Sequence, residues 1–413
     1  MKSNPPETWA RLLVSIAVLC GSGCSDSVDG RDATNGDSSG IGDDIDSSSG
    51  PTDDGTTTDG GTTTDGGTTT DGGTTTDGGT TTDGGTTTDG GTTTDGGTTT
   101  DGTTGENPPM APGGYYVDGN KIYDADDQIH VFRGVDRPSL EWNSSGENVS
   151  AADMNLMASW NANVVRVALN QGFWLEGSVV YDPGYRDRID QVVQWAENAG
   201  MDVILDLHWS DKGNLGQWPG QQRMADQNSQ SFWASVADRY KDDGRVLFEL
   251  YNEPHDVPWS VWLNGGDSGD GFQVVGMQTL YDTVRDAGAD NLVLVGGLHY
   301  AYYLDGVPDH RVEGYNIVYT THPYDFPDKQ PAVWTDDWGF LADTDPIFVT
   351  EFGSFNCNGG YAQQLINYAE QRGLSWSAWA WYPGGCGFPA LIENWSGTPS
   401  AAGQVVKTAL EAN

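Results

Sequence analysis

The sequence predicts a (β/α)8 TIM barrel that is preceded by a disordered low-complexity linker. Eight apolar runs of strand length recur after residue 112, and helical patterns fill most of the gaps between them. The runs are almost continuously apolar, which is typical of a parallel sheet whose two faces are both covered. Eight such units within about 280 residues fit a closed barrel better than an open doubly wound sheet. The sequence also has no Gly-x-Gly-x-x-Gly turn after any strand, which disfavours dinucleotide binding.

Residues 1–24 have the pattern of an export signal. Lys2 and Arg11 flank the apolar run LLVSIAVLC, which is too short to span a bilayer as a helix. The small residues GSGC that follow resemble the end of a bacterial lipoprotein signal, which makes Cys24 the candidate lipidated residue. The pattern predicts export, either as a lipoprotein anchored in the outer membrane or as a secreted extracellular protein.

Residues 25–112 are predicted to form a disordered linker rich in Gly, Thr and Asp. Its unit GTTTDG repeats between Gly55 and Gly102 and offers no apolar residue from which a core could be built. Six extended residues span roughly 20 Å, so the aspartates of neighbouring units cannot share a calcium ion. We therefore expect a flexible spacer that holds the folded part away from the cell envelope.

Charge argues against several classes of partner. The formal net charge is −41, and the acidic excess continues through the folded part of the chain. Such a surface disfavours nucleic acid and anionic membranes, and it favours a neutral or cationic substrate. The folded part, residues 113–413, is expected to be one catalytic domain and a monomer.

The cysteines favour one disulfide bond in this domain. Cys20 and Cys24 belong to the signal, which leaves Cys357 and Cys386. An exported chain with two remaining cysteines is expected to join them, and two separate buried thiols are the alternative. Because the two residues follow the seventh and eighth strands, a bridge would connect adjacent loops.

The predicted elements follow one another regularly along the domain. A hairpin-like segment at 114–128 comes first, and only a short or irregular helix is expected after the fifth strand. The eight strands are predicted at 130–137, 163–170, 202–209, 246–253, 292–298, 316–324, 346–353 and 374–381. Helical patterns cover Asp187–Asn198, Ser229–Tyr240, Phe272–Ala287, Tyr361–Arg372 and Ser400–Leu410.

Polar side chains lie at or near the carboxyl ends of five of these strands. In a (β/α)8 barrel these ends form the mouth, where active sites are built. One charged strand end could be a helix cap, but side chains from five strands would converge on one small volume. The residues are Arg166, His208, Asn252, Glu253, His322, Tyr324 and Glu351.

Two of these residues, Glu253 and Glu351, are carboxylates from the fourth and seventh strands. Paired carboxylates cleave glycosidic bonds: one protonates the leaving oxygen, and the other attacks the anomeric carbon or activates water. Arg166 could hold one of them ionised. The structural alternative is a pair of buried acids neutralised by Arg166 and the histidines. It is disfavoured because Pro254 and Gly353 end the strands at the acids.

Five motifs together resemble glycoside hydrolase family 5, the cellulase family of retaining barrels. They are LFELYNEPH, PIFVTEFGS, NVVRVALN, VILDLHW and THPY, and the resemblance covers essentially residues 114–413. It implies that Glu253 is the general acid/base and that Glu351 is the nucleophile. It implies no cofactor, and the sequence shows no metal-binding constellation.

The resemblance also implies a set of substrate-binding residues. Asn252 would bind the 2-hydroxyl of the sugar at the cleavage point, and Arg166 and Tyr324 would hold the nucleophile. His208 and His322 would contact the same sugar or Glu253. Trp379 would stack under that sugar, with Trp381 as the alternative by register. Other tryptophans in loops after strands are candidate sugar platforms, namely Trp174, Trp209 and Trp218.

Two further acids, Asp206 and Glu249, are interpreted as structural charges inside the barrel. The resemblance and the carboxylate pair predict an endo-β-1,4-glucanase acting on a β-linked polysaccharide. Endo-β-1,4-mannanase, xyloglucanase and mixed-linkage glucanase are the nearest alternatives. A surface polysaccharide-binding protein without turnover is the alternative from another class.

Overall fold

The computed structural model describes residues 107–413. The predicted signal at 1–24, the candidate lipidation site Cys24 and nearly all of the predicted linker lie outside the described residues. None of the described helices has the length and apolar character needed to cross a membrane. Packing begins slightly before residue 113, because Ala111 is buried and the Pro112 carbonyl accepts a hydrogen bond from the Gly244 N–H.

Eight parallel strands close into a barrel, as predicted. The last strand pairs with the first, where Ala378 lies opposite Val135, and this pairing completes the ring. The barrel strands are Arg133–Arg137, Val164–Asn170, Asp202–Trp209, Val246–Glu249, Val293–Gly296, Ile317–Thr321, Ile347–Val349 and Ser375–Ala378.

A two-stranded hairpin, Tyr115–Asp118 with Lys121–Asp124, precedes the barrel. Its side chains Tyr115 and Ile122 join Phe132 and apolar residues from several barrel strands in one buried cluster. A much larger cluster includes residues of the strands and of the surrounding helices. The apolar strands are thus buried on both faces, as their composition predicted.

Helices and short turns cover the outside of the barrel. The helix predicted at Phe272–Ala287 begins only at Met277, because Gly265–Gly276 contains a small hairpin of Gly266–Asp267 with Gln273–Val274. Gly276 also approaches the backbone of residues 263–265 so closely that a Cβ there would clash. The α-helices are Ala151–Ala158, Gln171–Trp174, Tyr185–Asn198, Gln227–Tyr240, Trp259–Asn264, Met277–Asp286, Trp334–Asp337, Gly359–Arg372 and Ala401–Glu411, and Val307–Asp309 and Gly339–Asp343 are 3-10 turns.

The segment after the fifth barrel strand is short and irregular, as expected. Within Leu298–Ala301, three consecutive residues (299–301) have positive φ values between 56° and 61°. The Tyr300 N–H donates to the Pro254 carbonyl, and the His322 N–H donates to the Ala301 carbonyl. This left-handed turn therefore connects the loops that follow the fourth and sixth strands.

Candidate active site

Glu253 and Glu351 face each other across the barrel mouth. One carboxylate oxygen of each residue and one ring nitrogen of His322 lie within 4.8 Å of one another. Two carboxyl groups about 5–5.5 Å apart are typical of glycosidases that retain the anomeric configuration. Both acids lie beyond the ends of their strands, in the loops that open to the mouth.

Two donors hold the Glu351 carboxylate from opposite sides. Arg166 Nη1 donates to Oε1 at 2.6 Å, and the Tyr324 hydroxyl donates to Oε2 at 2.6 Å. The ring of Phe355 stacks on Tyr324 at 5.6 Å. The orientation of Glu351 is therefore fixed before any substrate enters.

Arg166 is fully buried and organises the floor of the site. It is the third residue of its strand rather than the last, and its side chain spans the distance to the mouth. Its guanidinium contacts Glu249 at 2.5 Å, Asp206 at 3.0 Å and the Asn252 side-chain oxygen at 2.7 Å. Burial disfavours its charge, but these acids raise its pKa further above the ordinary value.

Glu253 has two polar neighbours. Gln221 Nε2 donates to Oε2, and His322 Nδ1 lies 3.3 Å from Oε1. Burial alone would raise the pKa of Glu253, but the hydrogen bond and the charge of His322 outweigh it and lower that pKa. The pKa of His322 is raised to about 10, because neighbouring acids, Glu351 first, overcome its burial.

The hydrogen bonds of His322 fix where its protons lie. The Thr350 hydroxyl donates to Glu249 Oε1 at 2.7 Å, so it can only accept from His322 Nε2, 3.0 Å away. Nε2 therefore carries a hydrogen, and the second proton of the ring lies on Nδ1, next to Glu253. His322 and Glu253 are therefore positioned to exchange one proton between the ring nitrogen Nδ1 and the Glu253 carboxylate.

His208 and Trp379 form one wall of the site. The two rings are stacked with centroids 5.5 Å apart, and His208 Nδ1 contacts Asp206 at 2.6 Å. Burial opposes protonation, but Asp206 raises the pKa of His208 to about 9. Asp206 and Glu249 thus bind cations of the site, in agreement with their structural interpretation.

The tryptophan candidates fall into two groups. Trp218 is 65% exposed and Trp209 is mostly buried at the end of the third strand. Trp174 and Trp381 are fully buried. Trp174 packs against Phe232, and Trp381 packs against Trp160 and donates its Nε1–H to Asp153. Register favours Trp379 over Trp381.

Some residues in or near the site were not identified as site residues from the sequence. Gln221 lies in a loop without a motif, yet it contacts Glu253. Asp136 and Glu141 are both fully buried near the site, and burial raises their pKa values, that of Glu141 to about 7. Asp136 is the next-to-last residue of the first strand, so the rule that identified polar residues near the other strand ends could have found it.

The side chains that could bind a metal ion belong to the carboxylate site itself. Among residues 107–413, the set able to hold a metal ion is Glu253, His322 and Glu351. These are the groups that bind one another, so an ion there would have to displace the His322 proton.

Cys357 and Cys386 form the predicted disulfide, with Cα atoms 4.9 Å apart.

Comparisons with known proteins agree with this geometry. The family model described as cellulase (glycosyl hydrolase family 5) matches residues 123–385, more than half of the chain. An endoglucanase of Microbulbifer sp. (strain ALW1) is 26% identical over 290 residues, which are 66% of this chain and 52% of the relative. A mannan endo-1,4-beta-mannosidase of Salipaludibacillus agaradhaerens is 24% identical over 297 residues, 69% of this chain and 87% of the relative.

Solved structures share the fold. The native form of a beta-glucanase from Saccharophagus degradans superposes with a TM-score of 0.61 at 24% identity, covering 73% of this chain and 96% of that chain. At this identity the likeness concerns the fold alone. The chain spans about half the length of the first curated relatives that it matches.

Proposed function

The chain belongs to the cellulase family, glycosyl hydrolase family 5, and from this membership we propose that it is a retaining endo-β-1,4-glucanase. The observation that carries the proposal is the carboxylate pair, with oxygens of Glu253 and Glu351 within 4.8 Å of each other. That separation leaves no room for a water between Glu351 and the anomeric carbon, so direct attack by Glu351 is the reaction that fits.

In the proposed first step, Glu351 attacks the anomeric carbon and the glycosidic C–O bond breaks. Glu253 gives its proton to the leaving oxygen, and a covalent glycosyl–enzyme ester remains. Water then attacks the same carbon while Glu253 takes its proton, and the bond to Glu351 breaks. Arg166 and Tyr324 hold the nucleophile in position throughout.

The general acid must hold a proton at the start, although His322 lowers the pKa of Glu253. The hydrogen bond between His322 Nδ1 and Glu253 supplies a route, because the ring can pass its proton to the carboxylate and keep the one on Nε2. Asn252 offers its NH2 group to a sugar hydroxyl, since Arg166 already binds its oxygen. His208 and Trp379 provide the wall against which the sugar lies.

Substrate choice is tested by measuring reducing ends released from carboxymethylcellulose, mannan, xyloglucan and mixed-linkage glucan in parallel. We expect the highest turnover on a β-1,4-glucan. An endo-β-1,4-mannanase is the second candidate, because one relative, of which this chain covers 87%, is a mannan endo-1,4-beta-mannosidase. Absence of turnover on all four polysaccharides would favour a binding protein instead.

The mechanism is tested by the first product and by two variants. Proton NMR should show a product with retained configuration. Glu351→Ala should abolish turnover, and azide should restore it with inverted product. Glu253→Ala should still react with an aryl glycoside that has a good leaving group, and the glycosyl–enzyme should accumulate because no base activates water. A first product with inverted configuration would contradict the assignment of Glu351 as nucleophile.

We also propose that the chain is exported and attached to the outer membrane through lipidated Cys24, with the acidic repeat as spacer. The support is the apolar run and GSGC in the first 24 residues. A Cys24→Ala variant should then be recovered in soluble fractions, whereas the natural chain should sediment with membranes. Equal distribution of the two proteins would contradict the anchor.

A further inference from the structure

The Thr350 hydroxyl lies between a buried anion and the ring that serves the general acid. Thr350 is fully buried and directly follows the seventh strand, Ile347–Val349. Its hydroxyl oxygen is 2.7 Å from Glu249 Oε1 and 3.0 Å from His322 Nε2. The direct distance from Nε2 to Glu249 Oε1 is 3.8 Å, which is too long for a hydrogen bond. Thr350 therefore bridges the two groups.

Glu249 determines the direction in which the Thr350 hydroxyl donates. Burial opposes the charge of Glu249, but Arg166 and His322 keep it ionised with a pKa of about 2. An ionised carboxylate only accepts hydrogen bonds. The single hydroxyl hydrogen of Thr350 therefore lies between Thr350 and Glu249, and the hydroxyl offers a lone pair to His322 Nε2.

Glu253 contacts the other nitrogen of the same ring. Its Oε1 lies 3.3 Å from His322 Nδ1, and Glu253 must hold a proton before it can act as an acid. When the proton passes from Nδ1 to Oε1, one N–H bond breaks, one O–H bond forms, and the imidazolium becomes a neutral ring. The hydrogen that remains on this ring is then the one on Nε2.

The two forms of a neutral histidine ring would have opposite effects on Glu253. With its hydrogen on Nε2, the ring presents a bare Nδ1 that accepts from a protonated Glu253. With its hydrogen on Nδ1, the ring donates to an ionised Glu253 and has no further proton to give. A lone pair facing Nε2 stabilises the first form, because a buried N–H without an acceptor is costly.

We propose that Thr350 is a positioning residue that holds the hydrogen of His322 on Nε2 and thereby allows Glu253 to carry the proton for the leaving oxygen. The proposal rests on the proposed glycanase function. Because Thr350 is fully buried, it acts through His322 and not by touching the sugar. It serves the first step, since the second step begins with Glu253 already ionised.

The test compares two substrates that differ in their need for a proton. The leaving group of dinitrophenyl β-cellobioside departs without one, whereas the sugar that leaves from cellotetraose needs it. Thr350→Val should lower kcat/KM by about 10–100-fold on cellotetraose and by less than about threefold on the dinitrophenyl glycoside, since a general acid contributes about 10²–10⁴-fold. Thr350→Ser keeps the hydroxyl and should stay within about threefold of the natural enzyme on both substrates.

Thr320→Val is the matched control. Thr320 is also a fully buried threonine that donates to Glu249 Oε1, at 3.3 Å, and among the described residues its hydroxyl hydrogen-bonds to Glu249 alone. This variant should change kcat/KM by less than about threefold on both substrates, because the acceptor of His322 Nε2 remains in place. Equal losses in Thr350→Val and Thr320→Val, or equal losses of Thr350→Val on the two substrates, would overturn the proposal.

Neutron diffraction from the deuterated natural enzyme covers the case in which Thr350→Val does not fold. It should show deuterium on His322 Nε2 and the hydroxyl deuterium of Thr350 directed at Glu249. A hydroxyl deuterium directed at His322 would overturn this proposal and leave the proposed function standing. Inactivity of the natural chain on every β-glycan would overturn the proposed function and this proposal with it.

Discussion

Arg166 contacts more buried acids than one cation can neutralise. Asp206, Glu249 and Glu351 all lie within 3.0 Å of its guanidinium, and Asp136 lies on the adjacent strand in register with it. Within the described part of the chain, neither oxygen of Asp136 has a hydrogen-bond partner. A buried carboxyl without a donor is most stable in its neutral form.

Replacing the carboxyl group by an amide should therefore change the stability of the protein little at Asp136 and lower it strongly at Glu249. Burial raises the pKa of Asp136, so Asp136→Asn replaces one neutral group by another of the same shape. Burial also acts on Glu249, but Arg166 and His322 lower its pKa to about 2, so Glu249→Gln removes a buried charge from its partner. We expect a change of less than about 1 kcal/mol in unfolding free energy for the first variant and a loss of about 3–5 kcal/mol for the second.

Urea denaturation at about pH 6 measures both variants, and kcat on the preferred glycan accompanies it. Asp136→Asn should retain most of its turnover. If Asp136→Asn were as destabilised as Glu249→Gln, Asp136 would have to be ionised in the folded protein.

Residues of the catalytic pair could be predicted from sequence because strand ends and the Asn-Glu-Pro context are local patterns. Asp136 and Glu141 could not be assigned a protonation state in that way, because it depends on neighbours distant in sequence. The same limit applies to Trp174 and Trp381, whose burial is not visible in the sequence. A loop tryptophan and a core tryptophan have identical local patterns, and only packing decides which face is covered.

At the scale of elements, the loops after the seventh and eighth strands act as one unit. The bridge Cys357–Cys386 joins them, and Phe355, two residues before the bridge, stacks on Tyr324, which holds Glu351. The sequence separation of 29 residues gives a loop whose closure is worth about 3–4 kcal/mol in the chain-entropy model.

Replacing both cysteines by serine should lower the unfolding free energy by about 3–4 kcal/mol. It should also lower kcat, because Phe355 would no longer be fixed against Tyr324. The comparison is made by urea denaturation of the variant and of the natural chain with and without dithiothreitol. Reductant should shift the natural chain towards the variant and leave the variant unchanged. Equal stability of all four samples would contradict this role of the bridge.

The strands and most helices could be predicted because their apolar periodicity is continuous. The start of the helix at Met277 could not be predicted from the sequence, because it depends on the close approach of Gly276 to residues 263–265. The left-handed turn at 299–301 could not be predicted from the sequence either. Non-glycine residues adopt positive φ only when surrounding contacts impose it, and here the contacts come from Pro254 and His322.

At the scale of the whole molecule, the buried titratable groups determine how stability depends on pH. Glu249 has a pKa of about 2, lowered chiefly by Arg166 against the effect of burial, so its contribution is complete above its unfolded value and is lost on acidification through about pH 2. Glu141, His208 and His322 have raised pKa values of about 7, 9 and 10. Their contributions are complete below the unfolded values and are lost as pH rises through the folded ones.

The free energy of unfolding should therefore be greatest at about pH 5 and fall steadily towards about pH 9. His208 alone accounts for about 3 kcal/mol of this fall, since each pKa unit corresponds to about 1.4 kcal/mol. Urea denaturation at about pH 5, 7 and 9 measures the slope, and His208→Gln should make it shallower between about pH 7 and 9. Surface repulsion in a chain of net charge −41 also weakens the folded state, but salt screens exposed charges far more than buried ones. The slope should consequently persist at about 1 M sodium chloride, and its disappearance there would assign the pH dependence to the surface instead of to the buried histidines.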